Sequence, residues 1–398
     1  MVSDNISYNS VGMPLKEQIE KIRTEMHTAG ADAFLVTSNA NMFYAVGQVV
    51  MGYLYIPLEG APILFVRRPL GLEIATPLHY VRKPEQITEI MAEHGIPLPQ
   101  QIMLEGDLLT HSEWMRLEAI FPKAKTMNGT PALQRARCIK TEAEIELLRI
   151  SGKRHAAAYR RIPELYKSGM TDLQLSIEIE REMRLAGCLG FFRIFGQSME
   201  IFMGSVLAGS NACEASPYDF ALGGQGMHPS IPVGANNSVL RAGMSVQVDM
   251  GGNFTGYMTD MTRTYSVGKL SEKAYRAHQT ALEIQERIVE MLRPGVVCED
   301  IYNRSLEMAK RSGLDCCFMG MRQQARFVGH GVGIEINEAP VIGARSRTEL
   351  APGMALAVEP KFVIEGVGAT GIENTFVITA NGNEKLTALD EEIIDISL

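Results

Sequence analysis

The chain has 398 residues, 46% hydrophobic and 21% charged, with a formal net charge of −8. That length exceeds one ordinary core and predicts two domains, and the acidic balance excludes nucleic acid and membrane surfaces as main partners, since both call for a basic face. No apolar run approaches the roughly 20 residues of a membrane span, no signal-like apolar segment opens the chain, and the six cysteines show no C-x-x-C spacing, so a reducing cytoplasm is expected.

In chain order, "PLKEQIEKIRTEMHTAG" predicts an amphipathic helix ending at Gly30. "DAFLVTS" and "APILFVRR" read as strands and "PEQITEIMAEHG" as another helix, which is α/β texture over roughly the first 130 residues. A Gly-Thr-Pro break at 129–131 then precedes a long charged helical pattern, with Thr141 as N-cap and Glu144 three residues on. The domain boundary is placed there, giving domains 1–135 and 136–398. "TDLQLSIEIEREMRLAG" reads as a further helix. From about residue 200 the texture is β-rich, with one helical block at 271–313.

Two aspartates, Asp249 and Asp260, sit in "SVQVDM" and "YMTDMTRTY", segments that otherwise read as buried strand, although Asp is depleted in strands. "GGNFTG" between them carries hairpin residues. A turn centred between Phe254 and Thr255 sets the two aspartates directly opposite each other. Near the C-terminus, "ALAVEPKFVI" and "GIENTFVIT" flank "EGVGAT", and a turn centred on Gly366 sets Glu359 opposite Glu373. Facing carboxylates are destabilising unless a proton or a cation lies between them. One imidazole added to such a set suits Mn, Fe, Co or Zn better than Ca or Mg. Of eight histidines, His330 stands out, because the glycines of "FVGHGVGIE" free its ring to project.

At these five residues the sequence resembles the pita-bread metallopeptidase family of aminopeptidase P, prolidase and methionine aminopeptidase, whose ligands run Asp, Asp, His, Glu, Glu. "VDMGGNFTGYMTDMTRT", "GHGVGIEINEAP", "VEP" and "GIENT" match its blocks in order. "ARCIKTEAEIELLR" and "DAFLVTSNANMFYAVG" look like the aminopeptidase P, prolidase and creatinase branch. The resemblance implies an α/β creatinase-like N-terminal domain followed by an α+β pita-bread catalytic domain, and an Xaa-Pro peptidase acting on short peptides. It implies two divalent metal ions (Mn, Co or Zn), bridged by Asp260 and Glu373, with Asp249 on one and His330 and Glu359 on the other. Glu359 would also shuttle a proton, Thr262 and Arg263 would orient the ligands, and the chain would be a homodimer.

Three positions depart from the branch pattern. Asn337 stands seven residues after His330, where a substrate-contacting histidine is usual, and Gly371 stands where an arginine often precedes the last glutamate. The upstream histidine is either His228, preferred because an imidazole can pass a proton near neutral pH, or is replaced by Tyr218. These departures leave the metal ligands intact and alter the substrate pocket. Alternative readings are a lyase or hydrolase on a small non-peptide substrate, a metal-free creatinase-type enzyme, or a binding module without activity. "GVGATG" at 366–371 matches G-x-G-x-x-G but precedes a strand pattern, so no helix N-terminus would meet a pyrophosphate. G-x-S-x-G and H-E-x-x-H are absent.

Overall fold

A computed structural model describes residues 15–196 and 199–397. The chain divides into two compact units, Met1–Arg137 and Cys138–Leu398.

In chain order the first unit comprises α1 (Leu15–Ala29), β1 (Ala33–Val36), α2 (Asn39–Val46), β2 (Met51–Pro57), β3 (Ile63–Arg68), β4 (Leu78–Tyr80), α3 (Gln86–Glu93), β5 (Gln101–Leu104), α4 (His111–Ile120), β6 (Lys125–Asn128) and α5 (Thr130–Cys138). Its six strands form one mixed sheet, in the order β4-β3-β2-β1-β5-β6. β1 is buried along its length and β5 over its last three residues, as expected of central strands in a sheet covered by helices. Leu35, Phe65, Ile102 and Leu104 pack with Ile87, Met91 and Leu117 of α3 and α4 in one core.

The second unit opens with α6 (Glu142–Tyr159), α7 (Ile162–Leu165) and α8 (Asp172–Leu185), followed by β7 (Gly204–Ala208), β8 (Ser245–Asn253) and β9 (Met258–Ser266). Next come α9 (Glu272–Met291), α10 (Cys298–Arg311), β10 (Phe327–Gly331), β11 (Glu338–Gly343), β12 (Ala355–Val358), β13 (Lys361–Ile364), β14 (Gly368–Gly371), β15 (Asn374–Thr379), β16 (Gly382–Lys385) and β17 (Ile394–Asp395). Thr141 caps α6 and Thr171 caps α8, each in a reciprocal capping box that satisfies otherwise orphaned helix N–H groups. One sheet runs β17-β9-β8-β7 and another β11-β10-β12-β15-β16, with β13–β14 as a separate ribbon. Residues of α6 and α8 bury Val246, Val248, Met250 and Met261 of the first sheet. Residues of α9 and α10 bury Leu356, Val358, Phe362 and Phe376 of the second sheet and the ribbon. Each sheet is covered by helices on one face, and the sheets meet on the other.

Candidate metal centre

Strand alternation decides which side chains reach the space between the sheets. In β8, Val246, Val248 and Met250 enter the helix-side core, which turns Asp249 the other way. In β9, Met261 and Tyr265 enter that core, which turns Asp260 and Thr262 inward. Leu356, Val358, Phe362, Phe376 and Ile378 enter the opposite core, so Glu359, Lys361, Glu373 and Thr375 share the inner face. His330 would follow Val328 into the core by strict alternation. An irregularity in the β10–β11 pairing instead sets it opposite Ala357, on the inner face.

The register of the first hairpin differs from the sequence expectation. Asp249 pairs with Thr262 and Asp260 with Gly251, so the two aspartates are diagonal neighbours on one face. The turn lies one residue later than expected, with Gly256 in the left-handed region at φ 89°. The second hairpin has the expected register: Val358 pairs with Asn374 and Lys361 with Gly371. Glu359 and Glu373 sit at the break between those two ladders.

Two constellations result. His330 Nε2 lies 3.6 Å from Glu359 Oε1 and 3.9 Å from both Asp260 Oδ2 and Glu373 Oε1. His330 Nδ1 is 3.1 Å from the Gly331 carbonyl, a contact in which Nδ1 donates, and Nε2 faces the carboxylates. Glu373 Oε1 is buried and has no hydrogen-bond partner. On the other side, the fully buried Lys361 donates from Nζ to Asp249 Oδ2 at 2.8 Å, Glu359 Oε2 at 2.7 Å and Glu373 Oε2 at 3.2 Å. Burial, reinforced by Asp249, pushes the Asp260 carboxyl well above the usual range, and burial with Asp260 does the same to Glu373. Burial alone would strip the Lys361 proton, but Asp249, Glu359 and Glu373 outweigh it and hold the ammonium charged.

Neighbouring groups fix this geometry. Thr262 Oγ1 donates to Glu373 Oε2 at 2.7 Å. Arg263 is buried but touches no ligand carboxylate. Its guanidinium donates to the carbonyls of Thr262, Glu373 and Asp390 and to Asn374 Oδ1, pinning β9 to the start of β15. Tyr159 from α6 accepts from the Met250 N–H and donates to the Met261 carbonyl, fixing the backbone just after each aspartate.

A cavity of about 200 Å³ opens onto Asp249, Asp260, His330, Glu359 and Glu373, with Phe192, Met199, Ile201, Phe220 and Phe327 among its walls. Asn337 lines it too, yet its amide is engaged elsewhere: Oδ1 accepts from Phe195 N at 2.7 Å and Nδ2 donates to Phe195 O at 2.9 Å. It ties down the 191–196 segment. His228 is exposed, bonded through Nδ1 to Ser230, and is not among the cavity residues. Tyr218 donates its hydroxyl to Glu200 and is likewise not among them. The structure thus brings the five ligand positions together and leaves His228 and Tyr218 apart.

A model of metallopeptidase family M24 matches residues 146–380, and one of the creatinase/prolidase N-terminal domain matches residues 18–139. The chain belongs to family M24. It is 26% identical to an Xaa-Pro dipeptidase of Pyrococcus furiosus over 391 residues, covering 96% of this chain and 100% of that one. An Xaa-Pro dipeptidase structure from Bacillus anthracis matches at 26% identity and TM-score 0.78, covering 96% of this chain and 99% of the other. An X-Pro aminopeptidase from Thermotoga maritima shares the fold at TM-score 0.78 and 23% identity, over 94% and 99% of the two chains. The creatinase-type N-terminal domain and the M24 catalytic domain expected from the sequence are both present.

M24 is a family of dinuclear metallopeptidases, and the two constellations meet that requirement differently. Asp260, His330 and Glu373 could hold an ion: His330 Nε2 and the orphaned Glu373 oxygen face the same space. Asp249, Glu359 and Glu373 also offer oxygens within 4.8 Å of one another, but those oxygens converge on the Lys361 ammonium. Sequence reasoning missed Lys361. The signal was in "VEPKF": two residues after Glu359 along an extended chain, it shares that residue's face.

Proposed function

We propose that the protein is a metal-dependent peptidase that cleaves the bond before proline in peptides longer than a dipeptide. The observation that carries this reading is the convergence of Asp260, His330, Glu359 and Glu373 at the floor of an apolar-walled cavity, in a chain of family M24. Those four side chains would hold a divalent ion, which would supply Lewis acidity toward a water and the scissile carbonyl. Glu359, through Oε1 on the His330 side, accepts the proton of the attacking water and returns it to the leaving proline nitrogen. Thr262 keeps Glu373 oriented, and the aromatic walls receive the apolar proline ring. Three carboxylates and one imidazole are a hard, oxygen-rich donor set, which favours manganese over softer ions.

The preference for longer peptides follows from the lining. Gly371 carries no side chain, and none of the described residues lining the cavity is Arg or Lys. A dipeptide would bring its free carboxylate beside proline without a cation to receive it, whereas a longer peptide places an amide there. We further place the protein in the cytoplasm, which suits its six free cysteines, and infer a homodimer from the sequence resemblance. Cell fractionation and light scattering test these two points.

The deciding experiment is an assay of metal-stripped protein reloaded with Mn, Co or Zn against Xaa-Pro, Xaa-Pro-Xaa and proline-free peptides. Metal-restored cleavage of Xaa-Pro-Xaa, at least tenfold faster than of Xaa-Pro, is expected, with Asp260→Ala inactive. Cleavage of dipeptides alone would overturn the length preference, and no cleavage of any peptide would overturn the peptidase reading in favour of a non-peptide substrate.

A further inference from the structure

We propose that the Lys361 ammonium takes the place of one of the two metal ions of an M24 centre, so that this chain binds a single divalent ion at Asp260, His330, Glu359 and Glu373. The inference rests on the metal-dependent reading above. The oxygens of the shared carboxylates divide between two sides of the site. Glu359 and Glu373 each send one oxygen to the His330 side and the other to Lys361. Asp249 sends Oδ2 to Lys361. An ammonium has three donors and no acceptor, and these three oxygens saturate it. A divalent ion about 2.1 Å from the same oxygens would have to occupy the space that Nζ fills.

The lysine has little freedom to leave. Its side chain is 0% exposed, and its backbone pairs with Gly371 across the β13–β14 ladder. A Cβ at Gly371 would lie 2.7 Å from Lys361 Cα and against the Pro360 carbonyl, so no side chain shares that position. Where the branch often places an arginine at 371, this chain places glycine there and a cation directly across the ladder. The His330 side remains open to an ion, because Glu373 Oε1, in a residue 1% exposed, has no hydrogen-bond partner.

The test is the stoichiometry of tight binding, by calorimetric titration and elemental analysis of chelator-treated full-length protein with Mn²⁺ or Co²⁺, and no activity is needed. One ion per wild-type chain is expected. The Co²⁺ form should show the paramagnetic signal of one isolated ion, undiminished by coupling to a second. Lys361→Ala removes the ammonium and opens its space, so binding should rise to two ions per chain. If that variant folds only when metal is added, its refolding with two ions supports the same conclusion, and the wild-type stoichiometry needs no variant. Two tight ions in the wild type would overturn the inference while leaving the metallopeptidase reading intact. One ion in both proteins would overturn the assignment of Lys361 to a metal's place. No bound ion would sink the inference together with the metal-dependent reading, whereas one ion without peptide cleavage would sink only the latter's substrate.

Discussion

At the scale of single residues, the site depends on groups that are buried without charge. His155 of α6 is 0% exposed, with Nδ1 3.1 Å from Thr259 Oγ1, one residue before Asp260. It lies so close beneath Gly252 that a Cβ there would collide with its ring. Burial, aided by the Arg263 charge, lowers its pKa from 6.5 to about 3. The folded chain therefore keeps His155 neutral, while the unfolded chain takes up a proton as pH falls below 6.5. Stability from this residue is fully present above pH 6.5 and is lost as pH falls toward 3, by up to about 1.4 kcal/mol per pH unit within that window. His278 is shifted the same way by burial and adds to the slope. Asp260 and Glu373, raised by burial, act in the opposite direction in the metal-free protein, so the share of His155 is read by urea denaturation as the difference between the wild type and His155→Gln. That difference should be largest at pH 7 and shrink toward pH 5, and a difference that does not change with pH would exclude the residue as a source of pH dependence.

At the scale of elements, the ladder joining β13 to β14 aims the lysine. Gly371 has φ 135°, a region that side-chain-bearing residues rarely adopt. Its N–H is shared between Thr264 Oγ1 at 3.1 Å and His278 Nδ1 at 3.2 Å. Gly371→Ala should cost about 2–3 kcal/mol through backbone strain and displaced main chain, read as a lower denaturant midpoint. A loss under about 0.5 kcal/mol would show that the ladder relaxes freely. This element also marks how far the sequence could be read. The second hairpin was legible in register because its turn is a short glycine-flanked connection between two continuous apolar strands. The first was misread by two residues of pairing, because "GGNFTG" offers several turn positions and only packing selects the one with Gly256 at positive φ. Alternation still delivered both aspartates to the inner face, since a two-residue slip preserves the face. His330 reaches the site only through a pairing irregularity that period-two reading cannot foresee. The sequence does not disclose that Phe195, distant in the chain, occupies the amide of Asn337.

At the scale of the whole molecule, the two units have separate hydrophobic cores: one built on the β1–β6 sheet, the others on the sheets and helices of the second unit. All five ligand positions, Lys361 and the cavity lie in the second. Metal binding should therefore stabilise one unit selectively. An ion at a hundredfold excess over its dissociation constant contributes about 2.7 kcal/mol to the state that binds it. The residues that would hold the ion sit on β9 and β10, next to β12 and just before β15, so the ion would tie the two sheets of the second unit together. Hydrogen exchange of the intact chain, followed by peptide-level mass spectrometry, should show amides of β8, β9, β12 and β15 slowed on adding Mn²⁺. That free energy corresponds to about a hundredfold slowing for amides that exchange through unfolding of the unit. Amides of β1, β2 and β5 in the first unit should be unchanged. Equal slowing in both units would mean that they open as one cooperative body, and slowing confined to the first would place the ion away from His330.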